Sequence, residues 1–200
     1  MSSQTTTGSS SFAETYAAHP SKGLVGILCL IVAETTIFVI FVVAYIFYLG
    51  KSLSGPAPHE VLSLPIVATV CLLSSSLTVH QGVAELRKGK SAAATFWIGI
   101  TALLGLIFLG FTGAEWFDLI VHHGLTIKTN LFGTTFYSLV GLHATHVVVG
   151  LIMLLLVTFF GLNKQLEERH AERLEILSLY WHFVDAVWVI VFCVVYLFGR

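Results

Sequence analysis

Residues 23–50 read GLVGILCLIVAETTIFVIFVVAYIFYLG, and this stretch decides the fold. A membrane-spanning helix needs about 20 predominantly apolar residues, and this run exceeds that length with one ionisable side chain, Glu34. Further runs of the same kind follow at 61–84, 92–121, 131–162 and 176–199. The strands of a membrane barrel are about 10 residues long and alternate apolar with polar. These runs are longer and continuously apolar, so the sequence predicts an all-α integral membrane bundle of five transmembrane helices. Composition agrees: 56% of residues are hydrophobic and 10% charged, with a mean hydropathy of +0.88. Soluble domains carry roughly a quarter of their residues as charges.

The rest of the chain is read around these spans. Residues 1–22 are predicted to form a flexible polar tail, and residues 23–200 the membrane domain. The tail is rich in Ser and Thr and lacks a basic start. The first apolar run is also longer than the roughly 7–15 residues of a secretory signal. Gly55-Pro56-Ala57-Pro58 marks a loop between the first two spans, and Asn163–Glu175 is the most charged connection. If the tail is cytoplasmic, Lys22, Arg87, Lys88, Lys90, Lys164, Arg169 and Arg173 lie inside, while Lys51, Lys128 and Arg200 lie outside; together these are all 10 basic residues. The excess inside predicts a cytoplasmic N-terminus and an outer C-terminus. Tyr45, Tyr48, Trp97, Trp116, Tyr180 and Trp181 are predicted to mark the membrane interfaces, with Trp188 deeper. The net charge of −1 argues against a nucleic-acid partner. Cys29, Cys71 and Cys193 all fall inside spans without CxxC spacing, and there behave as small hydrophobes.

An ionisable residue inside a bilayer is costly and usually faces a protein partner or a water path. Function is therefore sought at Glu34, His80, Glu115, Asp118, His143, His146, His182 and Asp185. Glu34, near the middle of the first span, must be protonated, hydrogen-bonded or close to water. It serves either as a helix-packing carboxyl or in proton transfer. Ser74, Ser75, Ser76, Thr78 and His80 form a polar stripe on the second span, read as a close helix-packing face. Glu115 and Asp118 lie three apart on one face, Asp118 near solvent and Glu115 against another helix. His143 and His146 share a face of the fourth span, and His182 and Asp185 share one of the fifth. Such faces can bind a metal as in bundle di-iron sites, ligate haem, or form interhelical hydrogen bonds with Asp185 fixing a histidine tautomer. Gly99, Gly105, Gly110 and Gly113, with Gly133, Gly141 and Gly150, predict close helix contacts.

Several of these motifs, taken in order, resemble subunit III of the haem-copper terminal oxidases. Tyr180-Trp181-His182-Phe183-Val184-Asp185-Ala186-Val187-Trp188 resembles that family's Trp-His-Phe-Val-Asp-x-Val-Trp signature. Gly141-Leu142-His143-Ala144-Thr145-His146-Val147 resembles its Gly-x-His-x-x-His-Val motif, preceded by Gly133-Thr134-Thr135-Phe136. Ala114-Glu115-Trp116 and Leu72-Leu73-Ser74-Ser75-Ser76-Leu77-Thr78 are similar to two further elements, and Glu34 and Glu175 fall on glutamates of the family pattern. Thr112 is a departure, standing where many members have Gln.

The resemblance implies an accessory subunit of a proton-pumping aerobic respiratory oxidase that reduces oxygen to water. Cytochrome c is the expected donor, with a quinol oxidase as the alternative branch. It implies no redox centre in this chain, with haem and copper in partner subunits. Subunit I is then the main contact, subunit II a second partner, and structural phospholipid a bound component, in the bacterial cytoplasmic membrane. Glu34 becomes the buried functional or structural acid. Glu115, His143, His146, Glu175, His182 and Asp185 become a structural hydrogen-bond network, and Ser74, Ser75 and Thr78 a helix-packing stripe. Longer members have seven helices. The expectation is that the first two are missing here, so that the family's lipid-filled cleft is absent or completed by another subunit. A stand-alone haem-binding protein or carrier is the competing class; carriers usually show repeated halves, which five spans do not offer.

Overall fold

The computed structural model describes residues 21–52, 62 and 64–199. The predicted tail over 1–20 and most of the Pro-containing loop lie outside the described residues. Five helices are long and apolar enough to cross a membrane: α1 Lys22–Tyr48, α2 Ile66–Arg87, α3 Ser91–Val121, α4 Leu131–Leu162 and α5 Ala171–Phe192. A short 3-10 turn, Glu168–His170, leads into α5, and a wider π-helical turn, Cys193–Phe198, extends it. No strand occurs among the described residues.

Local chemistry sets the helix ends. The Ser21 hydroxyl accepts from the Leu24 N–H at 3.2 Å to cap α1, and Asn130 Oδ1 accepts from the Gly133 N–H at 2.7 Å to cap α4. Both satisfy donors that a helix start leaves free. Pro65 precedes α2, where its missing N–H costs nothing. The second span therefore starts later than 61 and runs on to Arg87. Gly89, with φ of +72°, turns the chain into α3, a backbone conformation that suits glycine.

The helices form a layered bundle. α2 and α3 pack as an antiparallel hairpin, α3 packs on α4, and α5 runs through the middle against α1, α2 and α4. α1 sits at the edge, chiefly on α4 and α5, burying Phe38 and Tyr45. Ile27, Phe41 and Val42 are half-buried against the core, while Val25, Leu28, Leu30, Val32, Val39 and Ile40 are among those that point outward, as expected where lipid, not water, is the solvent.

Trp181 of α5 is the centre of the packing. It is fully buried, and its ring lies between glycines of two other helices. A Cβ on Gly150 would stand 2.8 Å from the ring, and one on Gly105 would stand 3.0 Å away. Gly161 likewise lets α4 approach Thr95 of α3. These close approaches bear out part of the glycine reading, but Gly110 and Gly113 face open space, and Gly99 and Gly141 are in ordinary contact. Tyr45, Tyr180 and Trp181, expected near the membrane interfaces, are buried against neighbouring helices. Each is drawn inward by a neighbouring helix that the sequence does not place.

Candidate functional site

Glu34 of α1 and His146 of α4 meet inside the bundle. Glu34 Oε2 lies 3.0 Å from His146 Nε2, with side chains 23% and 13% exposed. The other ring nitrogen, Nδ1, lies 2.8 Å from the Leu142 carbonyl. A carbonyl only accepts, so Nδ1 carries a proton. Exactly one further proton then serves the Nε2–Glu34 contact. It sits on the carboxyl and is donated to the ring, or on the ring and is donated to the carboxylate. Either way the pair has no net charge, which lowers the cost of an acid at this depth. Phe38 packs on the imidazole with ring centroids 5.0 Å apart, and the Tyr180 hydroxyl donates to the His146 carbonyl at 3.4 Å. The pair opens on a cavity of about 270 Å³ lined by Ile27, Leu30, Thr145, Val149, Met153 and Tyr180. Thr35 and Thr36 bond back to carbonyls of their own helix and take no part.

A second cluster joins α2 to α5. The Ser76 hydroxyl donates to Asp185 Oδ2 and lies 3.1 Å from His182 Nδ1. Having one proton to give, it accepts from the ring, so Nδ1–H is the donor. The Trp181 indole N–H donates to Ser75 Oγ at 2.7 Å, and the Ser75 hydroxyl passes on to the Leu72 carbonyl at 2.6 Å. About two turns along each helix, the Trp188 N–H donates to Thr69 Oγ1 at 3.1 Å. Thr78 turns the other way and meets Thr101 of α3 at 2.8 Å. Ser74 is half-buried and makes no hydrogen bond to another helix among the described residues. The α2 stripe thus reaches two neighbours at once, α5 through Thr69, Ser75 and Ser76 and α3 through Thr78.

The remaining sequence-singled residues lie apart from both clusters. The Tyr196 hydroxyl donates to Glu115 Oε2 at 2.9 Å, near the far end of α3, with Trp116 packed on Tyr137. His143 is fully buried, and neither ring nitrogen meets a hydrogen-bond partner among the described residues. Its ring is held instead by Trp188, 5.0 Å between centroids, and by the edge of Phe108. Glu175 pairs with Arg87 on the exposed surface rather than with His182. Asp118 faces solvent beside His122, at 2.8 Å. Thr112 bonds back to the Phe108 carbonyl. Among the described residues no three His, Cys, Asp or Glu side chains gather as a metal site.

Some contributors were not singled out. Thr69 and Tyr196 carry bonds that the sequence reading left unassigned. For Thr69 the available signal was Trp188, whose buried indole N–H needs an acceptor; for Tyr196 it was Glu115, a carboxyl within a span that needs a donor.

Comparison with known proteins agrees with this architecture. Residues 6–200 match the family described as cytochrome c oxidase subunit III. A cytochrome c oxidase subunit 3 from Bacillus sp. (strain PS3) is 36% identical, covering 94% of this chain and 95% of its own. One from Synechocystis sp. (strain ATCC 27184 / PCC 6803 / Kazusa) is 38% identical, covering 97% and 87%. A cytochrome bo(3) ubiquinol oxidase subunit 3 from Pseudomonas aeruginosa is 33% identical, covering 91% and 88%. With five spanning helices and a match along nearly its whole length, the chain belongs to the cytochrome c oxidase subunit III family, whose relatives here include subunits of both cytochrome c and quinol oxidases.

Proposed function

We propose that this chain is an accessory, non-catalytic subunit of a proton-pumping respiratory oxidase that takes electrons from cytochrome c. It packs against subunit I as its main contact and near subunit II, stabilises subunit I and supports proton uptake. Haem and copper reside in those partners, and phospholipid is a structural component. The membrane is the bacterial cytoplasmic membrane, with the N-terminus inside. The observation that supports the proton-linked part of this reading is the Glu34–His146 pair, an acid and an imidazole in contact beside a cavity between spanning helices.

The test is Glu34→Ala in the assembled oxidase. The expected result is unchanged assembly and visible spectrum with activity that decays sooner during sustained turnover. Unaltered durability would remove the proton-linked role. Donor choice is a separate question, because a quinol oxidase subunit is 33% identical over most of the chain. Assay with reduced cytochrome c and with a quinol distinguishes the branches; activity with quinol alone assigns the second.

A further inference from the structure

Two imidazoles lie side by side on an uncovered seam between α2 and α5. The Arg87–Glu175 pair and the Ser76–Asp185 bond fix the antiparallel register of these helices. Counting seven residues back from Arg87 gives His80, and seven on from Glu175 gives His182, so the two rings stand at the same level. At 1.5 Å per residue, that level is about 10 Å beneath the charged pair. His80 is exposed and makes no hydrogen bond or ion pair with a described residue. His182 is half-buried and spends Nδ1–H on Ser76, so in the neutral ring Nε2 is an acceptor without a described donor. Leu77, 72% exposed, and Leu73, 40% exposed, continue the same face of α2, and Val189 continues that of α5 at 42%.

Lipid tails cannot hydrogen-bond, and a polar group left open to them is costly. We infer that the α2–α5 seam is the docking face for a transmembrane helix of another oxidase subunit, one presenting a hydrogen-bond donor at the level of His80 and His182. The partner's donor fills Nε2 of His182, its apolar side chains cover Leu73, Leu77 and Val189, and His80 supplies the second polar contact. The inference rests on the reading that the chain works inside a multi-subunit oxidase, and it names the face used.

The test uses the complete complex in native membranes. A photo-crosslinking residue placed at Leu77 is expected to yield an adduct with another oxidase chain. An adduct with a second copy of this chain, or with lipid alone while the subunit still co-purifies with its partners, overturns the face but leaves the accessory-subunit reading standing. Failure to co-purify with any partner overturns both. In parallel, His80→Leu is expected to weaken retention of the subunit during detergent washing roughly three- to thirtyfold, the range of an interhelical hydrogen bond, with recovery in His80→Gln. If the seam faces only lipid, His80→Leu retains the subunit as well as or better than the native residue, and the proposal falls.

Discussion

Single atoms decide how polar groups survive in this apolar interior. The Trp181 N–H has one acceptor, Ser75 Oγ, and both residues are buried. Ser75→Ala orphans that donor and is expected to cost about 1–3 kcal/mol of bundle stability, read as a shift in thermal unfolding in mild detergent. Trp181→Phe should not add its full cost on top of Ser75→Ala, because neighbouring sites that share a bond couple. The ring has equally little room. Gly150→Ala brings a methyl within 2.8 Å of it and is expected to destabilise by about 1–3 kcal/mol, the usual cost of overpacking. Gly110→Ala, in open space, should be neutral or slightly stabilising, since alanine is the better helix former; equal losses at the two glycines would contradict the packing described.

The helices themselves were largely legible. Apolar length alone located all five, although the second span runs on to Arg87, past the 84 expected from the apolar run. Where Pro65 sets the start of α2, the apolar pattern by itself began the span too early. Which face of each helix turns inward was harder to read, because lipid and core are both apolar and the hydrophobic pattern has little amplitude. Tyr45, Tyr180 and Trp181 are examples: each lies buried against neighbouring helices that no pattern in the sequence points to. The polar pairs were legible as candidates but not as partners. Glu34 and His146 are 112 positions apart, and no spacing rule joins α1 to α4. At this scale the Glu34–His146 contact is also testable. Glu34→Gln keeps a hydrogen bond to the imidazole while removing a carboxyl that can gain or lose a proton. It should therefore hold α1 in place, as judged by proteolysis of the native bundle, yet share the early turnover decay of Glu34→Ala. A Gln variant as durable as the native protein would reduce the pair to a packing contact.

For the whole molecule, α5 acts as a central post. It binds α2 through Trp181, His182, Asp185 and Trp188, α3 through Tyr196, and α4 through Tyr180. α1, with few buried residues, is attached chiefly through its contacts with α4 and α5, the Glu34–His146 pair among them. A core of interbonded helices with an edge helix that carries an acid in contact with an imidazole suits a subunit that supports a catalytic neighbour. The most direct measurement of that claim is purification of the native complex in gentle detergent through a tag on the N-terminus, with a visible spectrum and identification of the co-purifying chains. The account predicts haem absorbance together with larger chains resembling oxidase subunits I and II. A single colourless chain, under conditions that keep other membrane complexes intact, or a single chain that is itself coloured, would contradict it.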